Sequence, residues 1–174
     1  MKLLKKTALV CTTVLISLPA FAGESKLSDV DVVVDLSAFT DSNALTYWPE
    51  LDKDLEAALS QHAMIEPISE APRIRVEINK VAVDGDTILP DSGEFNQLEG
   101  TIAVYESLNA DGANVKQTAD DAPISSFPLR LTAQTADTAN EEGWTVFIPP
   151  SKDDFYNALV NAYAERTLEK VAEK

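Results

Sequence analysis

The hydrophobic residues of this chain follow two different periods in turn. Apolar and polar positions alternate over residues 29–39, which is the spacing of a strand buried on one face. Over residues 49–63 the apolar side chains are instead spaced as one stripe of a helix. That stripe contains Leu51, Leu55, Ala58, Leu59 and His62. Three further alternating segments are predicted as strands, at residues 73–83, 95–106 and 124–133.

Three irregular positions refine these later strands. In the second strand the alternation slips at Asn79 and Lys80, which predicts a β-bulge because one extra residue restores the register. Gly100 lies inside the third strand, where a glycine is typical of a bulge or of a close approach by another group. Pro128 in the fourth strand cannot donate a ladder hydrogen bond, so we expect an edge strand or an unpaired position there.

The end of the chain adds a short strand at residues 144–148 and a second helix that Ser151 can cap. The predicted apolar stripe of this helix is Phe155, Ala158, Leu159, Ala162, Tyr163 and Arg166. The order β-α-β-β-β-(β)-α predicts an α+β fold, a two-layer sandwich with two helices on one face of a mixed or antiparallel sheet of four to five strands. The helix between the first two strands indicates a parallel pair, and the following strands are expected to form a meander.

Residues 1–22 have the build of a secretory signal peptide. A basic head is followed by an apolar run of about a dozen residues, shorter than the roughly 20 that span a bilayer as a helix. The small residue Ala22 precedes Gly23, so we predict cleavage between these two residues. Cys11 lies inside the apolar run rather than at the cleavage point, and no lipid anchor is expected. The sequence therefore predicts one periplasmic or secreted domain of residues 23–174, without a transmembrane helix.

Charge and residue types limit the function classes. The chain has a formal net charge of −15. Removal of residues 1–22 would take away three lysines and no acidic residue, which makes the charge more negative. Nucleic acids and anionic membranes attract basic surfaces, so neither is expected as a partner. The predicted domain keeps one histidine, His62, and no cysteine, which excludes Cys–His catalysis and Cys-ligated zinc sites. We expect His62 to be structural, at the edge of the core or at the negative end of its helix dipole, and we predict no cofactor.

Acidic residues crowd the segment after the second strand. Asp84, Asp86 and Asp91 are weak candidates for calcium ligands, because calcium takes six to eight oxygen ligands. Their spacing does not match an EF-hand loop. The favoured interpretation is a set of solvated turns, since aspartate is a common turn former.

Aromatic pairs precede both predicted helices. Tyr47 and Trp48 come before the first, and Trp144 and Phe147 come before the last. The favoured interpretation is a hydrophobic staple that packs the start of each helix onto the sheet. The functional alternative is an exposed anchor for a protein partner, because binding energy concentrates in such aromatic residues.

The order of elements resembles that of secreted bacterial domains of unknown function that are similar to the amino-terminal domain of TolB. The shared features are a valine-rich opening strand like residues 30–35, a helix with spaced leucines like residues 51–59, and a closing helix like residues 155–159. The resemblance covers most of residues 23–174. It implies an envelope protein or a part of an assembly or export machine. It carries over no functional residue, and the lipid anchor of many such proteins has no counterpart here.

These observations predict an exported, acidic, non-enzymatic domain that binds another cell-envelope protein. Two alternatives stay open. One is a hydrolase that acts on cell-wall or glycan substrates through acidic residues, although nothing in the sequence marks a carboxylate pair. The other is a calcium-responsive binding module built on the acidic loop.

Overall fold

The computed structural model describes residues 25–67, 69–107, 122–133 and 152–173. In this part of the chain the fold is α+β, with a four-stranded mixed sheet and a two-stranded parallel sheet. The predicted fold class is therefore confirmed. The predicted strand at residues 144–148, the cap at Ser151 and the cleavage site at Ala22 and Gly23 lie outside the described residues. The elements are β1 (Ser25–Leu27), β2 (Asp29–Val34), α1 (Ala44–Tyr47), α2 (Leu51–His62), β3 (Ala63–Ile65), β4 (Arg73–Ala82), β5 (Gln97–Tyr105), β6 (Ser125–Thr132) and α3 (Lys152–Ala172).

The larger sheet has the strand order β2-β4-β5-β6. Strands β2 and β4 are parallel and are connected through α2, whereas β4, β5 and β6 form the predicted antiparallel meander. Alternate side chains of all four strands meet in rows across the inner face, because neighbouring strands pair in register. One such row contains Val32, Val76, Ile102 and Phe127. Among the strands that the structure describes, β6, which contains Pro128, lies at the end of this sheet.

The two irregular positions of β4 and β5 are also where the sequence predicts them. The register between β4 and β5 shifts between Ile78 and Lys80, and beyond the shift Val81 pairs with Leu98. The bulge returns Val81 to the buried side, where it is fully enclosed. Gly100 is a position of close approach, and its absent Cβ leaves room for the neighbouring strand and for α3.

Helix α2 buries Leu51, Leu55, Ala58 and Leu59, which confirms these four positions of its predicted stripe but not the fifth, His62. The helix begins at Leu51 with Glu50 as its N-cap residue, so Pro49 precedes the helix instead of occupying its first turn. His62 does not fill the edge of the core. It lies at the surface at the last turn of α2, with Nε2 3.8 Å from Glu165 Oε1.

Helix α3 has a wider buried face than the sequence predicts. Leu159 and Tyr163 are fully buried as expected, whereas the other four residues of the predicted stripe are only half-buried: Phe155, Ala158, Ala162 and Arg166. The reason is that α3 packs against α2 as well as against β1 and β5, so a single stripe is too narrow. The additional buried residues are Tyr156, Val160, Ala164 and Thr167.

Three short features have no counterpart in the predicted elements. Strands β1 and β3 pair in parallel, and Lys26 Nζ lies 3.1 Å from Glu66 Oε1 beside them. Helix α1 is a single turn before α2. Strand β2 also ends at Val34 instead of continuing to residue 39, because the carboxylate of Asp35 accepts a hydrogen bond from the Ser37 N–H and turns the chain.

Candidate binding surface

A tight hairpin leads out of β4 and carries two of the candidate calcium ligands. The N–H groups of Val83 and Asp86 each donate to the carbonyl of the other residue, at 2.9 Å. Asp84 and Gly85 between them have φ values of 50° and 93°. Positive φ at both central residues defines a type I′ turn, for which Asp-Gly is a preferred sequence. The turn thus explains why these residues occur here without any ligand.

Asn96 fixes the orientation of this turn. Its amide oxygen accepts from the Asp84 N–H at 2.9 Å, and its Nδ2 donates to Asp84 Oδ1 at 2.7 Å. The carboxylate of Asp86 likewise accepts from the Ile88 N–H at 2.9 Å. Both side chains shape the loop, as the favoured interpretation of the sequence expects for Asp residues in turns.

The candidate metal ligands do not converge. Among the residues that the structure describes, no three His, Cys, Asp or Glu side chains are grouped so that they could hold a metal ion. Asp84 and Asp86 are engaged in the loop, and Asp91 lies at the surface in the next turn. Asp84, Asp86 and Asp91 therefore do not form a group of three ligands in the described part of the chain.

Helix α1 is attached to the following loop through Asn43. Asn43 Nδ2 donates to the Leu89 carbonyl at 2.9 Å, and Asn43 Oδ1 accepts from the Leu89 N–H at 2.7 Å. One side chain thus satisfies both backbone groups of Leu89 as a neighbouring strand would. Ala44 and Leu89 are buried at this junction, so the segments before α2 and after β4 pack together.

Trp48 lies at the centre of an aromatic cluster. Its ring stacks on Tyr156 with centroids 4.0 Å apart and planes 5° apart, and Phe95 meets both rings edge to face. Its Nε1 donates to the Gly93 carbonyl at 2.7 Å. Gly93 has φ 71°, and a Cβ there would lie 2.7 Å from the Tyr47 ring. The cluster therefore fastens α1, the loop and α3 to one another.

The candidate partner-binding residues have different outcomes. Tyr47 and Trp48 are half-buried and take part in packing at the start of α2, while Trp144 and Phe147 lie outside the described residues. Phe95 and Tyr156 complete the cluster but are not among the residues that the sequence singles out. No periodic signal joins them to Trp48, because the three rings come from distant parts of the chain.

Tyr156 is held by a hydrogen bond as well as by stacking. Its hydroxyl donates to Asp54 Oδ2 at 2.6 Å, and its side chain is buried. Burial and then the Asp54 carboxylate raise the pKa of Tyr156 far above the usual value, since both disfavour the tyrosinate. Burial raises the pKa of Tyr163 in the same direction.

These shifts predict a specific alkaline instability. A raised folded-state pKa contributes stability that is present below the unfolded value of about 10 and is lost as the pH rises above it. We expect the free energy of unfolding in urea to fall as the pH is raised beyond about 10, and to fall less steeply in Tyr156→Phe. Tyr163 would account for the remaining slope. Asp54→Asn, which keeps an acceptor oxygen but removes the charge, should be intermediate; equal slopes for all three proteins would contradict the assignment.

The joined segments form one surface, which we name the loop platform and define as residues 35–52 and 83–96. Two large apolar side chains are exposed on it, Leu45 at 43 % and Ile88 at 54 %. Leu45 is two residues from Asn43 and Ile88 is adjacent to Leu89, so the Asn43–Leu89 hydrogen bonds place them on adjoining segments. The platform is the candidate functional site of the described chain.

Comparisons with known proteins add no functional assignment. No protein-family model matches the sequence, and no curated protein matches it. The chain is similar to a solved crystal structure of an uncharacterized protein, with 12 % identity and a TM-score of 0.39, over 85 % of this chain and 90 % of that one. Within the described residues, no helix is long and apolar enough to cross a membrane.

Proposed function

We propose that this chain is an exported domain of the cell envelope that acts by binding another protein and does not catalyse a reaction. The observation that carries the proposal is the exposure of Leu45 and Ile88 on the loop platform. Contiguous apolar patches rimmed by polar residues are typical of sites that contact other proteins, and the proposal takes Leu45 and Ile88 to be parts of one such patch. The export part of the proposal rests on the signal-like composition of residues 1–22.

The platform is built as a rigid support, which favours binding. Backbone groups of the loop are held by Asn43 and Asn96, and Trp48 joins the loop to α3. A preorganised surface loses little conformational freedom on association, so more of the contact energy appears as affinity. The neighbouring Ala44 and Leu89 are buried, which means that Leu45 and Ile88 are presented outward by a packed base.

Site-specific photo-crosslinking tests this proposal. A benzoylphenylalanine residue is placed at Leu45 or at Ile88 in the full chain, expressed in a bacterial host, and irradiated in intact cells. The matched control is the same residue at Ile124, which is 60 % exposed but lies outside the platform. We expect a discrete protein adduct from the two platform positions and none from position 124.

Export and binding are tested by separate outcomes. Export is measured in the same cells by fractionation and by the mass of the processed chain, which should begin at Gly23. A chain that keeps residues 1–22 in the cytoplasm would contradict the export proposal. Adducts that are equally strong from all three positions, or absent from both platform positions, would contradict binding through this surface.

A further inference from the structure

The charges of the loop platform are of one sign. Its two segments contain eight aspartate and glutamate residues and no lysine or arginine. The nearest cation in sequence is Lys53, which pairs with Glu50. Lys80 lies near the platform, but its Nζ is 3.5 Å from Glu99 Oε1 on the sheet. The platform acids are Asp35, Asp41, Glu50, Asp52, Asp84, Asp86, Asp91 and Glu94.

Most cations of the described chain are engaged outside the platform; the exceptions are Lys53, which pairs with Glu50, and Lys80, whose Nζ lies 5.8 Å from the centre of the Phe39 ring. Arg75 pairs with Asp31 at 3.4 Å, and Arg130 pairs with Glu99 at 3.0 Å, both across the outer face of the larger sheet. The guanidinium of Arg73 lies 4.4 Å from the centre of the Tyr105 ring. The other pairs are Lys26–Glu66, Arg166–Glu169 and Lys170–Glu173. Among the residues that the structure describes, none of these ion pairs involves the acids of the hairpin loop.

The apolar side chains lie inside this acidic surround. Ile88 is exposed between Asp86 and Asp91 in sequence, and Leu45 lies between Asp41 and Glu50. A hydrophobic contact bordered by charge of one sign is complementary to a segment that carries the opposite charge around its own apolar residues. An acidic partner would be repelled by the platform. A purely apolar partner would desolvate the carboxylates without supplying a counter-charge.

We infer that the loop platform binds a lysine- or arginine-rich polypeptide segment whose apolar side chains contact Leu45 and Ile88. This inference rests on the proposed function and names the class of its partner. The cationic side chains interact with the hairpin acids and accelerate association, while the apolar contact slows dissociation. Both features are required, so a cationic peptide without apolar residues binds more weakly.

Fluorescence anisotropy with defined peptides tests the inference. The probe is fluorescein-labelled KKLKKLKK, with KKSKKSKK and EELEELEE as controls for the apolar and the charged contributions. We expect KKLKKLKK to bind most tightly and EELEELEE not to bind. Binding should weaken steeply as salt is raised towards about 1 M, where the Debye length is about 3 Å.

Matched variants locate the site. Asp86→Asn with Asp91→Asn should weaken binding about tenfold, the equivalent of about 1.4 kcal/mol, and Asp86→Asn keeps an oxygen for the Ile88 N–H. Glu56→Gln with Glu70→Gln removes the same charge from exposed positions outside the platform and should leave the affinity unchanged. Ile88→Ser should reduce the preference for KKLKKLKK over KKSKKSKK, and Ile88→Ser combined with Leu45→Ser should remove it, whereas Ile124→Ser should leave it unchanged.

The result that overturns the inference differs from the one that overturns the proposed function. Equal weakening by both acidic pairs would mean attraction by net charge alone, and the inference would fail even if photo-crosslinks form at Ile88. Equal affinity for KKLKKLKK and KKSKKSKK would overturn it as well. Absence of photo-crosslinks at the platform positions overturns binding by this surface in the cell, whatever the peptides do.

Discussion

Replacement of Leu55 by alanine is expected to lower the free energy of unfolding by about 2–5 kcal/mol. Leu55 is fully buried on α2, on the stripe that packs α2 against β2 and α3. The truncation removes apolar surface from the core and leaves a cavity, because close-packed surroundings relax only partly. Urea denaturation followed by circular dichroism gives the change from the shift in midpoint at constant slope.

Two further substitutions make this measurement decisive. Leu159→Ala on α3 should fall in the same range, since Leu159 is also fully buried. Glu56→Ala, one residue from Leu55 but exposed, should change stability by no more than about 0.5 kcal/mol. A loss below about 1 kcal/mol for either leucine would place it in the range of surface substitutions and contradict the packing of these helices.

Substitution of Gly100 by alanine is expected to cost about 1–3 kcal/mol, the usual range for overpacking a core. The added Cβ would lie 2.5 Å from the backbone oxygen of Glu77 and 2.6 Å from the Tyr163 hydroxyl oxygen. The first contact is with a paired strand, which cannot move without disturbing its ladder. Most other strand positions gain from a side chain in place of glycine, so the direction of the effect is itself diagnostic.

A double-mutant cycle with Tyr163→Phe separates the two contacts at Gly100. Removal of the Tyr163 hydroxyl eliminates one of them but leaves the Glu77 carbonyl in place. We therefore expect Gly100→Ala to cost less in the Tyr163→Phe background than in the wild type, without becoming neutral. Identical costs in both backgrounds would show that α3 does not approach the sheet at this point. Both unfolding energies come from the same urea measurement.

Long periodic segments account for the parts of the fold that could be predicted from the sequence. In β4 and β5, alternation over many residues has one interpretation, and even the slip at Asn79 and Lys80 corresponds to the observed bulge. Strands β1 and β3 are three residues each, too short for any period to be measured. Their pairing depends on where α2 ends and on the turn at Ser28, whose N–H donates to the Pro72 carbonyl, and these are tertiary facts.

The candidate site could be predicted only in part for a similar reason. Trp48 stands out because it precedes a proline and a helix, and Asp84-Gly85 stands out as a turn sequence. These two segments are held together by contacts of Asn43 and Phe95. Neither residue is marked by a local sequence pattern. Along the sequence, the closely spaced carboxylates of Asp84 and Asp86 suggest a metal ligand. In the structure both carboxylates accept hydrogen bonds within the loop instead.

The parallel pairing of β2 with β4 also has a consequence for the route of folding. Asp29 is paired with Arg73 and Ser25 with Ala63. In the described part of the chain, strands β1 and β2 therefore pair only with strands that follow α2 in the sequence. The loop-closure entropy of such non-local contacts has to be overcome before they contribute stability, and this slows folding. Within the meander, the paired residues of β4 and β5 are closer in sequence than those of β2 and β4. Strands β1 and β2 are synthesised first, yet we expect them to be among the last strands to pair.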